Sequence, residues 1–190
     1  MSIKRLLVAN RGEIARRVFR TAKEMGIFTV AVYSDGDRDA PFVTDADLAI
    51  ALGGTTAAES YLDTEKILEA AKSTGADAVH PGYGFLSENA GFAQAVSDAG
   101  LTWIGPPPAA IAAMGDKLAA KETMVDAEVP TLPSIEVTDS TDIGAVGQEI
   151  GFPLLVKASA GGGGKGMRVV DNEADLEDAI SGAKREALGA

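Results

Sequence analysis

The sequence predicts an α/β protein: a doubly wound parallel-sheet domain over roughly residues 1–105, then the start of a second, smaller α/β unit. Three observations carry this. Short apolar runs of strand length alternate with amphipathic runs of helical length; a glycine follows each of the first three helical runs; and the character of the chain changes after Gly105-Pro106-Pro107-Pro108.

Ile3–Ala9 is an apolar run of strand length. Glu13–Met25 follows as a helix, with Ile14, Val18, Ala22 and Met25 on one face and Arg16, Arg17, Arg20 and Lys23 mostly away from it. Gly26 stops it, and Phe28–Tyr33 and Leu48–Leu52 read as the second and third strands. Tyr61–Thr74 is a helix closed by Gly75, Ala76–His80 a fourth strand, Asn89–Ala99 a helix closed by Gly100, and Leu101–Ile104 a fifth strand. This alternation is most simply satisfied by parallel βαβ units, a Rossmann-like arrangement. A helical stretch then runs through Ile111, Met114, Leu118 and Met124, and Pro130 and Pro133 mark a linker. The last unit offers helix Asp142–Ile150, strand Phe152–Lys157, a glycine loop, strand Met167–Val170 and helix Glu173–Ala187. Two strands and two helices in about 50 residues leave a sheet short of partners, so this unit is expected to be incomplete.

Composition narrows the function classes. The 190 residues are 46% hydrophobic, which excludes a disordered chain. Lys and Arg number 17 against 28 Asp and Glu, a net charge of −11. That balance argues against nucleic acid or an anionic membrane as partner, since both require a basic footprint. The absence of cysteine excludes disulfides and thiolate metal sites, and the single histidine excludes a multi-histidine zinc site. The apolar run at the start is too short for a signal peptide, and no stretch approaches the roughly 18 apolar residues of a membrane span. A cytosolic protein is expected.

Ser159–Gly166 (SAGGGGKG) is the most conspicuous segment. Gly161, Gly163 and Gly166 satisfy G-x-G-x-x-G, but the loop joins two strands, whereas the dinucleotide fingerprint leads from a strand into a helix. The Walker A pattern fails as well, because Ser159 stands at its first glycine and Gly166 at its Ser/Thr. What remains is a glycine hairpin whose amides can turn toward one anion, with a merely flexible hairpin as the alternative. Lys157, at the end of an apolar strand just before the loop, can set its ammonium against a phosphate; its bland reading is an exposed strand-end charge. Lys165 and Arg168 read as solvated, with a phosphate reached on loop closure as the alternative for Lys165.

The turn after the first strand, Asn10–Ala15, holds one glycine and so lacks the nicotinamide-binding fingerprint. Arg11 and Glu13 are expected to pair with other loops or a neighbouring domain, with Glu13 at a helix N-terminus as its bland reading. His80–Asn89 lies beyond the carboxyl end of the fourth strand, where open α/β sheets place ligand loops. No nucleophile context accompanies His80, so it reads as a hydrogen-bonded structural histidine, and Ser87 or Asn89 as a helix cap.

VANRGEIARRVFR (Val8–Arg20), HPGYGFLSEN (His80–Asn89), WIGPPP (Trp103–Pro108), MGDK (Met114–Lys117) and VKASAGGGGKGMRVV (Val156–Val170) together resemble the biotin carboxylase family, in the family's order and over essentially the whole chain. The KASAGGGGKGMR form, with ALGG and ESYLD upstream, looks most like the α subunits of acetyl- or propionyl-CoA carboxylases. Pyruvate, methylcrotonyl and urea carboxylases are other relatives of this pattern.

The resemblance implies an ATP-grasp ligase that forms carboxyphosphate from ATP and bicarbonate and passes its CO2 to N1′ of biotin on a carrier domain. It implies a pre-ATP-grasp, Rossmann-like domain over 1–115, a helical linker over 116–133 and the truncated start of the ATP-grasp domain, its lid, over 134–190. By the same resemblance Lys117 and Lys157 match lysines on ATP, Gly163 and Gly164 match loop positions over its phosphates, and Tyr83 and Gly84 match residues beside the biotin ring. Ala160 stands where some members have glycine. The Mg2+ carboxylates and catalytic groups are expected beyond residue 190, so no catalytic or metal residue is assigned to this chain, and the fragment alone is expected to be inactive. A biotin carboxyl carrier domain, a carboxyltransferase subunit and a second copy in a homodimer are the implied partners. A stand-alone binding or assembly module descended from the same domain is the alternative.

Overall fold

The structure, a computed structural model, describes residues 2–115, 117–157 and 167–188. The chain divides into two compact units, Met1–Asp116 and Lys117–Ala190.

The first unit contains β1 (Arg5–Val8), α1 (Gly12–Glu24), β2 (Phe28–Tyr33), α2 (Pro41–Asp45), β3 (Leu48–Ala51), α3 (Thr64–Thr74), β4 (Ala78–His80), α4 (Ala90–Asp98), β5 (Thr102–Trp103) and α5 (Pro108–Gly115). Its five strands form one parallel sheet in the order β3-β2-β1-β4-β5, as expected of a doubly wound domain. Alternation along β1 assigns the two faces. Leu7 and Ala9 enter one core with Val30, Val32, Val79, Ile67 of α3 and Phe92 of α4. Leu6 and Val8 enter the other with Ala31, Ala78, Ala15 and Phe19 of α1 and Phe42 of α2. Both faces of the sheet are therefore covered, which is why its strands read as unbroken apolar runs.

Several expected details shift. The buried face of α1 is Ala15, Phe19 and Ala22, and Met25 is 70% exposed. Met25 is the C-cap residue, past the last helical turn. Gly26, with φ +74°, redirects the chain so that the Ile27 amide donates to the Ala22 carbonyl at 2.9 Å. Strand β1 begins at Arg5, where the Asp77 carboxylate accepts from the amides of both Lys4 and Arg5. Helix α3 starts at Thr64, since Asp63 caps it and Tyr61 is drawn into the core. A 3₁₀ turn, Asp35–Asp37, and α2 fill a segment to which the sequence assigns no element.

The second unit contains α6 (Lys117–Asp126), α7 (Ile143–Ile150), β6 (Leu154–Lys157), β7 (Met167–Val170) and α8 (Leu176–Leu188). β6 and β7 are antiparallel, with Lys157 opposite Met167. Leu154, Val170, Leu176 and Ile180 make its core, while Leu155 and Val169 on the other side of the hairpin are 51% and 68% exposed. A two-stranded sheet with one bare apolar face fits the expectation of an incomplete unit. No helix among the described residues is long and apolar enough to cross a membrane.

Candidate functional site

Because the strands are parallel, the segments leaving β1, β2 and β4 emerge at the same end of the sheet, and three loops meet there. Asn10 follows β1 and is completely buried. Its Nδ2 donates to the Pro81 carbonyl at 2.8 Å and the Tyr83 carbonyl at 2.9 Å, and its Oδ1 accepts from the Arg11 amide at 2.9 Å. Both amide protons are thereby spent on the loop after β4. Gly82 completes the fit: a Cβ there would lie 2.6 Å from Ile14 and 2.8 Å from Asn10, and its φ is +68°. Only glycine allows the loop to lie this close to the start of α1.

His80 ends β4, and its Nδ1 accepts from the Gly82 amide at 2.9 Å, a structural histidine as expected. Burial pushes its pKa below the ordinary histidine range, favouring the neutral ring that this bond requires. Tyr83 is 63% exposed, and its hydroxyl donates to Glu13 at 3.2 Å, a bond that pushes the phenol's pKa up. The pairing expected of Glu13 is thus with this loop. At Gly84 a Cβ would meet nothing within 4 Å, so the tip of the loop is open.

Arg11 braces the other side. Its guanidinium lies 5.6 Å from the ring centroids of both Tyr61 and Phe85, which stack on each other at 5.1 Å, and it pairs with Asp37 at 3.0 Å. Tyr61 donates to Asp37 at 2.7 Å and accepts from the Ser34 amide at 3.0 Å. Burial alone would raise the Asp37 pKa, but the hydrogen bonds from Tyr61 and Arg11, with the Arg11 charge, hold it below the ordinary carboxylate value. Burial and then the bond to Asp37 push the Tyr61 pKa up to about 12.

Of the residues singled out in the sequence, Tyr83 and Gly84 stand together on this exposed loop tip. Lys157 is an exposed residue at the end of β6. Lys117 is the first residue of α6, its side chain outside the described residues, as are Gly163 and Gly164. The described residues contain no group of three His, Asp or Glu side chains able to hold a metal ion. Sequence reasoning passed over Asn10, Asp37 and Tyr61. Asn10 follows the apolar run of β1 directly, and only the pairing of loops distant in sequence reveals what it holds.

Residues 2–111 match the family model "Biotin carboxylase, N-terminal domain", and residues 116–190 match "Carbamoyl-phosphate synthase L chain, ATP binding domain". The chain is 52% identical over 187 residues to the α subunit of mitochondrial methylcrotonoyl-CoA carboxylase from Arabidopsis thaliana, covering 97% of this chain and 26% of that protein. Its structure resembles biotin carboxylase from Campylobacter jejuni, solved as a beta-gamma-ATP complex, with TM-score 0.88 and 45% identity over 99% of this chain and 43% of the other. The biotin carboxylase domain dimer of 2-oxoglutarate carboxylase from Hydrogenobacter thermophilus, solved with MgADP, ADP and bicarbonate, gives TM-score 0.86 and 45% identity over 100% of this chain and 42% of that one. The chain thus spans between 26% and 43% of the length of these relatives.

Proposed function

The chain belongs to the biotin carboxylase family, and from that premise we propose that it is the amino-terminal part of a subunit that carboxylates carrier-bound biotin, the first half-reaction of an acetyl- or propionyl-CoA carboxylase. In that reaction a bicarbonate oxygen attacks the γ-phosphorus of ATP, ADP leaves, and carboxyphosphate breaks down to phosphate and CO2. N1′ of biotin gives its proton to the released phosphate and takes the CO2. Mg2+, when bound, neutralises phosphate charge, and its ligands are assigned to no residue of this chain. The observation that carries the reading is the match of residues 2–111, a span that includes the buttressed loop His80–Asn89 at the carboxyl end of the sheet.

In this reading Tyr83 and Gly84 stand beside the biotin ring, and Lys117, Lys157, Gly163 and Gly164 hold ATP. The exposed end of β6 is consistent with a Lys157 ammonium free to meet a phosphate. A biotin carboxyl carrier domain, a carboxyltransferase and a second copy of the subunit are the partners. The compartment is the cytosol, and the mitochondrial Arabidopsis relative makes cell fractionation its test.

Steady-state phosphate release tests the function. The 190-residue chain should show no biotin- and bicarbonate-dependent ATP hydrolysis, and the chain extended to the length of its relatives should show it. Lys157→Met in the extended protein loses a charge-assisted contact of about 1.5–3 kcal/mol, or roughly 10- to 150-fold in ATP affinity or turnover. Biotin-stimulated hydrolysis by the short chain, or none by the extended one, would overturn the proposal.

A further inference from the structure

We infer that Asn10 is a positioning residue for the biotin site, acting through the Tyr83–Gly84 peptide; the inference rests on the proposed place of that peptide beside the biotin ring. Asn10 is completely buried, and its carboxamide grips the carbonyls on both sides of Gly82. The Tyr83 carbonyl it holds belongs to the same peptide unit as the Gly84 N–H. That peptide is trans, so its C=O and N–H point in opposite directions. Fixing the carbonyl inward on Asn10 therefore fixes the Gly84 N–H outward, at the open loop tip. Among the described residues that amide has no hydrogen-bond partner. A neutral cyclic urea, whose carbonyl is a hydrogen-bond acceptor, is the ligand chemistry such a donor suits. Asn10 sets the direction of this donor without touching the ligand.

The choice of side chain is specific. Aspartate has nearly the same shape and keeps the acceptor for the Arg11 amide. It replaces two donors with an anion facing the Pro81 and Tyr83 carbonyls, and the peptide must turn away. Protonating that buried carboxyl returns one donor, so the Asn10→Asp defect should shrink as pH falls, a dependence the native amide cannot show.

The test uses the extended protein with free biotin as the probe. For Asn10→Asp, the KM for biotin should rise roughly 10- to 100-fold while the KM for ATP stays within about twofold, because a misdirected donor damages one substrate's placement. Circular dichroism and thermal melting serve as folding controls. Gly82→Ala displaces the same loop by pushing a methyl group against Ile14 and Asn10, and it should give the same split. Wild-type activity with an unchanged biotin KM in a folded Asn10→Asp or Gly82→Ala variant overturns the role of Asn10 alone. Equal damage to the biotin and ATP constants, or failure of both variants to fold, makes Asn10 a core residue and also overturns it. Absence of biotin-dependent turnover in the wild type overturns the proposed function, and this inference with it.

Discussion

His80 and Asp37 show how single groups at the carboxyl end of the sheet depend on protonation. His80 accepts a hydrogen bond from the Gly82 amide, and burial keeps its pKa below the unfolded value. The unfolded chain therefore binds the proton first as pH drops. The histidine's contribution to stability is complete above about pH 6.5 and is lost as pH falls through the lower folded value. Urea unfolding should give a smaller free energy at pH 5 than at pH 7. His80→Asn, which keeps an acceptor near the Nδ1 position and removes the only histidine, should flatten that difference; an equal drop in the variant would refute the assignment. Asp37 acts in a separate window. Its folded pKa is also depressed, so its contribution is complete above about pH 4 and is lost only below that. The histidine's role was legible because no nucleophile stood near it in sequence. The carboxylate's was not, because Arg11 and Tyr61 reach Asp37 from segments 26 and 24 residues away in sequence.

At the scale of elements, patterns repeating every two or 3.6 residues located the strands and helices, and local capping decided where they end. The apolar run read from the sequence begins helix α3 at Tyr61. The chain starts it at Thr64 because the Asp63 carboxylate accepts the Lys66 amide at 3.1 Å, leaving Tyr61 free to stack on Phe85. Asp63→Ala should cost about 0.5–2 kcal/mol in chemical denaturation, typical of a lost N-cap, while the Asp63→Asn variant keeps most of it. No loss on Asp63→Ala would mean that packing of Ile67 and Ala71 alone sets the boundary. Met25 gives the same lesson at the other end of a helix. It falls in phase with the apolar face of α1, yet the turn at Gly26 leaves it in solvent.

For the whole molecule, the two units differ in how much they bury. The first has an apolar core on each face of a five-stranded sheet, and the second has one smaller core, built on Leu154, Val170, Leu176 and Ile180, beside a two-stranded hairpin. The second unit should unfold first. Trp103, the only tryptophan, packs edge-on against Phe92 and donates to the Pro106 carbonyl, so its fluorescence reports the first unit. Helices in both units contribute to far-UV circular dichroism. The dichroism transition should therefore begin at lower urea than the fluorescence transition, and coincident curves would show one cooperative block. The alternation of the five strands with the main helices of the first unit, the parallel sheet and the family were determined by the sequence alone, because they rest on local periodicity and on contiguous motifs such as HPGYGFLSEN. Only the tertiary structure decided that Asn10 grips Pro81 and Tyr83 and that Arg11 lies against Tyr61 and Phe85. These contacts join residues some 50 to 75 positions apart, and nothing in the local pattern of a chain records which of its loops a parallel sheet will bring to the same end.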